Sequence, residues 1–129
     1  PLPITQSGYL GASDASIAAP RFDYAQAMTL VDQEILGIIA EAFVEQWPED
    51  LHKIRMGLQS GDIKTVLHTA HALKGTLAMF GAQPASDIAQ TIERYATHSD
   101  AAGAGEMVEP LVVELGYLLA ALRQHLRID

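Results

Sequence analysis

Apolar residues recur at intervals of three and four along almost the whole chain after residue 20, which is the spacing of one face of an α-helix. No segment shows the alternation of apolar and polar residues that is typical of a half-buried strand. The aromatic content, 6%, is also low for a β-sandwich. The sequence therefore predicts an all-α domain without a sheet.

The helical pattern divides into four segments. We expect a kink or a break at Pro48 in the first, because proline lacks a backbone N–H and crowds the preceding turn. Gly61 ends this segment, the second helix is expected over 63–80, and a loop is expected over 97–105. The apolar stripes are Val31, Ile35, Ile38, Ile39, Ala42, Phe43, Leu51, Ile54 and Leu58 on the first helix, Ile63, Val66, Leu67, Ala70, Leu73, Leu77 and Phe80 on the second, Ala85, Ile88, Ala89, Ile92 and Tyr95 on the third, and Leu111, Val112, Leu115, Leu118, Leu119, Leu122 and Leu126 on the fourth.

Short connections between these helices favour an up-and-down antiparallel four-helix bundle, with or without a short extra N-terminal helix around residues 23–28. Residues 1–20 contain three prolines, two glycines and three serines without an apolar period, which predicts a flexible linker before a domain at 21–129. Because the first residue is Pro1 instead of methionine, we expect a domain cut from a longer protein.

Composition argues against several classes of function. The formal charge of −8 repels a phosphate backbone, so we expect no nucleic-acid binding. The chain has no cysteine, which excludes a disulfide framework, a thiolate metal site and a cysteine nucleophile. No apolar run approaches the roughly 18 residues of a membrane span, so we expect no direct membrane contact.

One histidine on the second helix lies outside the buried stripe. At about 100° per residue, His71 projects from the flank of that stripe, with Gly75 and Ala78 stacked beside it one and two turns later. A glycine inside a helix costs about 1 kcal/mol relative to alanine, which fits a need for close approach by another protein. Lys74 stands between His71 and the stripe, where its ammonium can reach the space above the ring. An accessible imidazole beside a fixed positive charge suits a phosphoryl group.

The string Ala70-His71-Ala72-Leu73-Lys74-Gly75, followed by Gly81 ten residues after the histidine, resembles the histidine-containing phosphotransfer (HPt) domains of multistep two-component phosphorelays. The resemblance covers about residues 22–126, including the long first helix and the third helix. The final helix is similar to the family only in being amphipathic.

The resemblance implies a role for four residues. His71 would be the phosphorylated histidine, Lys74 would lie against the phosphoryl oxygens, and Gly75 would leave room for the partner. Glu93 falls at the position where the family often has a glutamine or glutamate that hydrogen-bonds the imidazole. A carboxylate that holds one ring N–H fixes the tautomer and aims the other nitrogen outward.

Four further residues are candidates for binding the partner. Met79 and Ala78 project outward near the histidine, although many family members have asparagine in place of Met79. Lys64 is one of four basic residues between positions 53 and 74, which make the local field less negative than the total charge suggests. His68 faces solvent, and we interpret it as having no catalytic role.

The implied reaction moves a phosphoryl group from an aspartate of a receiver domain to His71 and then to a response regulator. The implied partners are receiver domains of the same hybrid (unorthodox) sensor histidine kinase and of the response regulator. The receiver would supply Mg²⁺, so this domain would bind no cofactor or metal. We expect a monomeric C-terminal module on the cytoplasmic side of a bacterial inner-membrane kinase, and a free-standing phosphotransfer protein stays open as an alternative. Whether the domain counts as an enzyme stays open, since it has no ATP site.

Two other interpretations stay open. The chain could be a non-catalytic helical docking bundle, that is, a degenerate phosphotransfer domain. A metal-binding bundle is the second, because Glu49 and His52 form a Glu-x-x-His pair and other histidines are present. A di-iron bundle needs that pair on two helices, and this chain has one.

Overall fold

The structure, a computed structural model, describes Asp23, Ala25, Ala27, Met28 and residues 32–126. Over 32–126 the helices are α1 (Gln33–Ser60), α2 (Ile63–Met79), α3 (Gln83–Thr97), α4 (Ala101–Glu106) and α5 (Val108–Leu126), and no described residue lies in a strand. The four long helices confirm the predicted all-α four-helix bundle. The linker predicted at 1–20 lies outside the described residues.

The turns between helices have local causes in the sequence. The carboxylate of Asp32 accepts the N–H of Ile35 at 2.9 Å and begins α1. Gly61 ends α1 with φ of 80°, and Asp62 begins α2 by accepting the N–H of Thr65 at 3.3 Å. The predicted boundary between the first two helices is therefore confirmed.

The N-terminal edge of the domain is anchored to the turn after α2. Gly81 has φ of 69°, and the N–H of Asp23 donates to the carbonyl of Phe80 at 2.8 Å. Ala25, Ala27 and Met28 are helical, as the predicted extra turn requires, and Ala27 is fully buried. This short segment thus packs on the same core as the long helices.

The first helix continues through Pro48, so of the kink or break expected there the break is wrong. Its core-facing side is also rotated, because Leu36, Ala40 and Phe43 are buried while Ile35 and Ile38 are exposed. The predicted burial of the stripe is therefore wrong at Ile35, Ile38 and Ala42, which are exposed. Apolar residues cover more than one face of this helix, so their spacing alone did not select the face that packs.

The second and third helices carry the centre of the core. The predicted stripe on α2 is confirmed, with four of its members buried inside the helix and Phe80 packed edge-on against Phe43 at a ring centroid distance of 5.6 Å. On α3 the predicted burial of Tyr95 is wrong, since Tyr95 is exposed and Ala96 is buried. The Tyr95 ring lies over Gly103 of α4, where an added Cβ would come within 2.6 Å of it.

The loop predicted over 97–105 is only partly correct. The helix α4 occupies its second half, and Asp100 begins that helix by accepting the N–H of Gly103 at 2.8 Å. The segment consists mostly of alanine and glycine, which give no apolar stripe, so its sequence does not indicate a helix. Packing against α3 and α1 stabilises the short helix.

The order of packing positions the functional face. The helix α2 packs against α1 on one side and α3 on the other, while α5 packs mainly against α3 and less closely against α1 and α4. The outer face of α2 therefore stays in solvent, with His71 near its middle. None of the helices in the described part of the chain has the length and hydropathy needed to cross a bilayer.

Candidate functional site

His71 projects from α2 toward α3, with 65% of its side chain exposed. Its Nδ1 lies 2.7 Å from Oε2 of Glu93 on α3. An ionised carboxylate can only accept, so in the neutral ring Nδ1 carries the proton and donates it, and Nε2 keeps the lone pair. Among the described residues, no hydrogen-bond partner faces Nε2. The ring is thus held at one nitrogen and open at the other.

The same carboxylate binds a lysine through its second oxygen. Oε1 of Glu93 lies 2.8 Å from Nζ of Lys74, and both side chains are mostly covered, with 29% of Lys74 and 20% of Glu93 exposed. The hydrogen bond from Lys74 lowers the pKa of Glu93, and the bond with His71 lowers it further, while partial burial opposes both. Glu93 is therefore ionised at neutral pH and bridges the two side chains.

The surface around His71 is open to a large partner. A Cβ added at Gly75 would meet no atom within 4 Å beyond the helix backbone. Ala72 and Ala78 are also exposed, so the outer face of α2 carries small side chains from His71 toward its C-terminal end. A second protein can therefore bring its own reactive group close to Nε2.

A groove between α1 and α2 lies beside this open surface. Its cavity volume is about 350 Å³, and exposed apolar side chains extend it along α1, where Ile35 is 46% and Ile38 is 62% exposed. The groove is lined by Ile39, Ala42, Phe43, Gln46, Asp50, Ala72, Leu73 and Thr76.

A second cleft, of about 300 Å³, lies on the other side of the site, against α3. Lys74 and Glu93 line it together with Arg94 and His98. Arg94 donates to the hydroxyl of Thr91 at 3.4 Å, and Nδ1 of His98 lies 2.9 Å from the Arg94 carbonyl oxygen. Among the described cations of this cleft, Lys74 is the one that is bonded to Glu93.

The geometry is that of an oriented imidazole with an exposed nucleophilic nitrogen and a neighbouring ammonium. The Hpt domain family matches residues 39–125, a range that includes all of α2 and α3. The chain belongs to the Hpt domain family. This Hpt domain is accordingly a phosphotransfer intermediate of two-component signalling.

The crystal structure of histidine-containing phosphotransfer protein B (HptB) from Pseudomonas aeruginosa PAO1 is similar to this Hpt domain. The TM-score is 0.75 at 24% sequence identity, and the alignment covers 85% of this chain and 97% of HptB. This likeness shows a shared fold. No curated protein matches the chain in sequence.

The structure brings three of the predicted site residues into contact. His71, Lys74 and Glu93 form one hydrogen-bonded group, and Gly75 lies beside it. The remaining candidates do not join that group: Ala78, Lys64 and His68 are exposed and Met79 is half-buried.

The sequence prediction missed the exposed apolar face of α1. Its signal was the run from Ile35 to Ala40, in which apolar residues are too frequent to fit on one face of a helix. The metal-binding interpretation gains no support, because the described residues contain no group of three or more His, Asp or Glu side chains placed to hold an ion.

Proposed function

We propose that His71 is the residue of this Hpt domain that carries the phosphoryl group, and that Nε2 is the bonded atom. The observation that carries the proposal is the 2.7 Å contact between Nδ1 and Glu93. It orients the ring and leaves Nε2 exposed on a surface that a second protein can reach.

The transfer step needs no proton movement at His71. The Nε2 lone pair forms the N–P bond while the P–O bond to the receiver aspartate breaks, and that electron pair stays on the aspartate carboxylate. Nδ1 keeps its proton, since the Glu93 carboxylate accepts it before and after the step. The reverse sequence passes the group to a second receiver. Transfer to His71 and transfer from His71 therefore both use the ring with its proton on Nδ1.

We further propose where the receiver docks. The docking face consists of the exposed apolar residues of α1, the groove beside them and the small residues around His71. Apolar contact suits this surface, because the chain has net charge −8 and receiver active sites are acidic, which leaves little long-range attraction. The residues of the docking face are Ile35, Ile38, Ile39, Ala42, Ala72, Gly75 and Thr76.

The outer face of α2 continues beyond the docking face in both directions. Lys64 and His68 are exposed toward its N-terminal end, where a positive charge would favour the acidic rim of a receiver. Ala78 and Met79 follow His71 toward the C-terminal end. We assign all four to the margin of the receiver contact.

The finer identity of the partners is also a proposal. We infer that the domain works between a receiver of the same hybrid sensor kinase and the receiver of a response regulator, on the cytoplasmic side of the membrane. In this scheme the receiver brings Mg²⁺, and the Hpt domain contributes the nucleophile and Lys74 as a monomer. The alternative of a docking bundle without chemistry is not favoured, because the family is one of phosphotransfer domains.

The test is phosphotransfer from a Mg²⁺-loaded receiver carrying radiolabelled aspartyl phosphate. We expect acid-labile label on the wild-type domain and none on His71→Gln. The matched control is His125→Gln, which removes an exposed histidine near the end of α5, outside the proposed receiver contact, and should leave labelling intact. Label retained by His71→Gln, or lost equally in both variants, would contradict the assignment.

A further inference from the structure

The two oxygens of Glu93 bind two different donors at the same time. Oε2 lies 2.7 Å from Nδ1 of His71, and Oε1 lies 2.8 Å from Nζ of Lys74. The charge of Lys74 is therefore paired with Glu93 in the unphosphorylated domain. This arrangement differs from a lysine that waits free beside the nucleophilic nitrogen.

Lys74 cannot keep its full ion pair with Glu93 and also bind the phosphoryl oxygens at full strength. The phosphoryl group on Nε2 lies across the ring from Nδ1, and so on the opposite side from Glu93. The lysine side chain has a flexible stem and starts one turn from His71, so its ammonium can rotate from one position to the other. The phosphoryl oxygens, which carry close to two negative charges, then compete with the single charge of Glu93.

We propose that Glu93 is a positioning residue that holds Lys74 in the resting state and releases it to the phosphoryl group on transfer. The inference rests on the proposed phosphorylation of His71. Because the Lys74–Glu93 ion pair is weakened when the phosphoryl group arrives, Lys74 stabilises the phosphorylated domain less than a free lysine would. Glu93 thereby limits how tightly the phosphoryl group is held and keeps transfer reversible.

Glutamine at position 93 separates the two functions of the carboxylate. The amide oxygen of Glu93→Gln can still accept the Nδ1 proton, so the ring stays oriented. The amide has no charge to hold Lys74, so the ammonium of Lys74 can bind the phosphoryl oxygens without competition from residue 93. The proposal therefore predicts that the contribution of Lys74 to the phosphorylated state depends on the charge at residue 93.

The experiment is a double-mutant cycle on the phosphotransfer equilibrium between the domain and one receiver. The four proteins are wild type, Lys74→Met, Glu93→Gln and the double variant. We expect Lys74→Met to lower the phosphorylated fraction in both backgrounds. The decrease should be about threefold larger in the Glu93→Gln background than in the wild-type background, because the energy of a partly exposed ion pair corresponds to a factor of that size. Equal factors in the two backgrounds, or a larger factor in the wild-type background, would overturn the proposal.

Arg94→Met is the matched control for loss of a neighbouring positive charge. Arg94 lines the same cleft as Lys74, but its side-chain bond goes to Thr91. Its effect on the equilibrium should be the same in the wild-type and Glu93→Gln backgrounds. If Arg94 were coupled to residue 93 as strongly as Lys74 is, the cycle would be measuring general electrostatics. That result would contradict the proposal that Lys74 moves from Glu93 to the phosphoryl group.

A second readout follows the contact directly. The side-chain carboxyl carbon of Glu93 can be monitored by NMR at one neutral pH in both states of the wild-type domain. Phosphorylation should move its signal toward that of unphosphorylated Lys74→Met, since both remove the ammonium from Oε1. An unmoved signal would refute the release of Lys74. Failure of all four proteins to accept phosphate would instead contradict the proposed function.

Discussion

Replacing Ile38 by glutamate tests the docking face on α1. Complete burial of an isoleucine side chain contributes about 1.5–3 kcal/mol. Because Ile38 is 62% exposed in the free domain, covering the rest of it in a complex contributes about 1–2 kcal/mol. We therefore expect Ile38→Glu to raise the Kd for the receiver, and to lower kcat/KM for transfer, by about fivefold to thirtyfold.

The assay is single-turnover transfer from a phosphorylated receiver, measured over a range of receiver concentrations. Val113→Glu is the control, because Val113 is 52% exposed on α5, away from the outer face of α2, and its replacement adds the same negative charge. Its kcat/KM should stay within about twofold of wild type, and both variants should melt cooperatively near the wild-type Tm. Unchanged transfer by Ile38→Glu, or an equal loss in Val113→Glu, would refute the reasoning.

Four other changes have defined outcomes. Gly75→Ala should raise the free energy of unfolding by about 0.5–1 kcal/mol, because the position is open and alanine favours helix, yet slow transfer by crowding the partner; a calorimetric scan and a transfer assay on one sample check both. Met79→Glu should weaken transfer without changing the melting curve, and an unchanged transfer rate would remove Met79 from the receiver contact. Gly81→Ala should lower the free energy of unfolding by about 1–3 kcal/mol in urea titrations, since φ is 69° and the new Cβ would overlap Asp23. Wild type should exceed Glu93→Gln in unfolding free energy by about 0.5–1 kcal/mol at neutral pH. The pKa of Glu93 is lowered in the folded domain from its ordinary value of 4.5. The difference in unfolding free energy should therefore shrink as the pH falls from 4.5 through the lowered pKa of the folded state, and a pH-independent difference in Tm would contradict this prediction.

The sequence predicted a structural feature correctly where that feature is caused by residues close to it in the chain. The boundary at Gly61 and Asp62 was predictable, because both residues act on the backbone within a few positions of themselves. Short α4 was missed, since its stability comes from packing against other helices rather than from its own sequence. The orientation of Tyr95 likewise depends on Gly103 in that helix.

The candidate site divides in the same way. The pattern of His71, Lys74 and Gly75 lies within one helix, so helical geometry alone places the three residues together on its outer side. The expectation that Glu93 would bond the imidazole came from resemblance to a family. Nothing in the spacing of 22 residues indicates that its other oxygen would take Lys74.

The sequence by itself determined the class of fold, the boundary between the first two helices and the histidine that we propose as the phosphorylated residue. These follow from backbone propensity, capping and apolar period, which act over one or two turns. The tertiary structure decided which face of α1 packs inward, and so left Ile35 and Ile38 on the surface. It also decided that one carboxylate would bridge His71 and Lys74, because the depth and rotation at which two helices pack are set by the whole core.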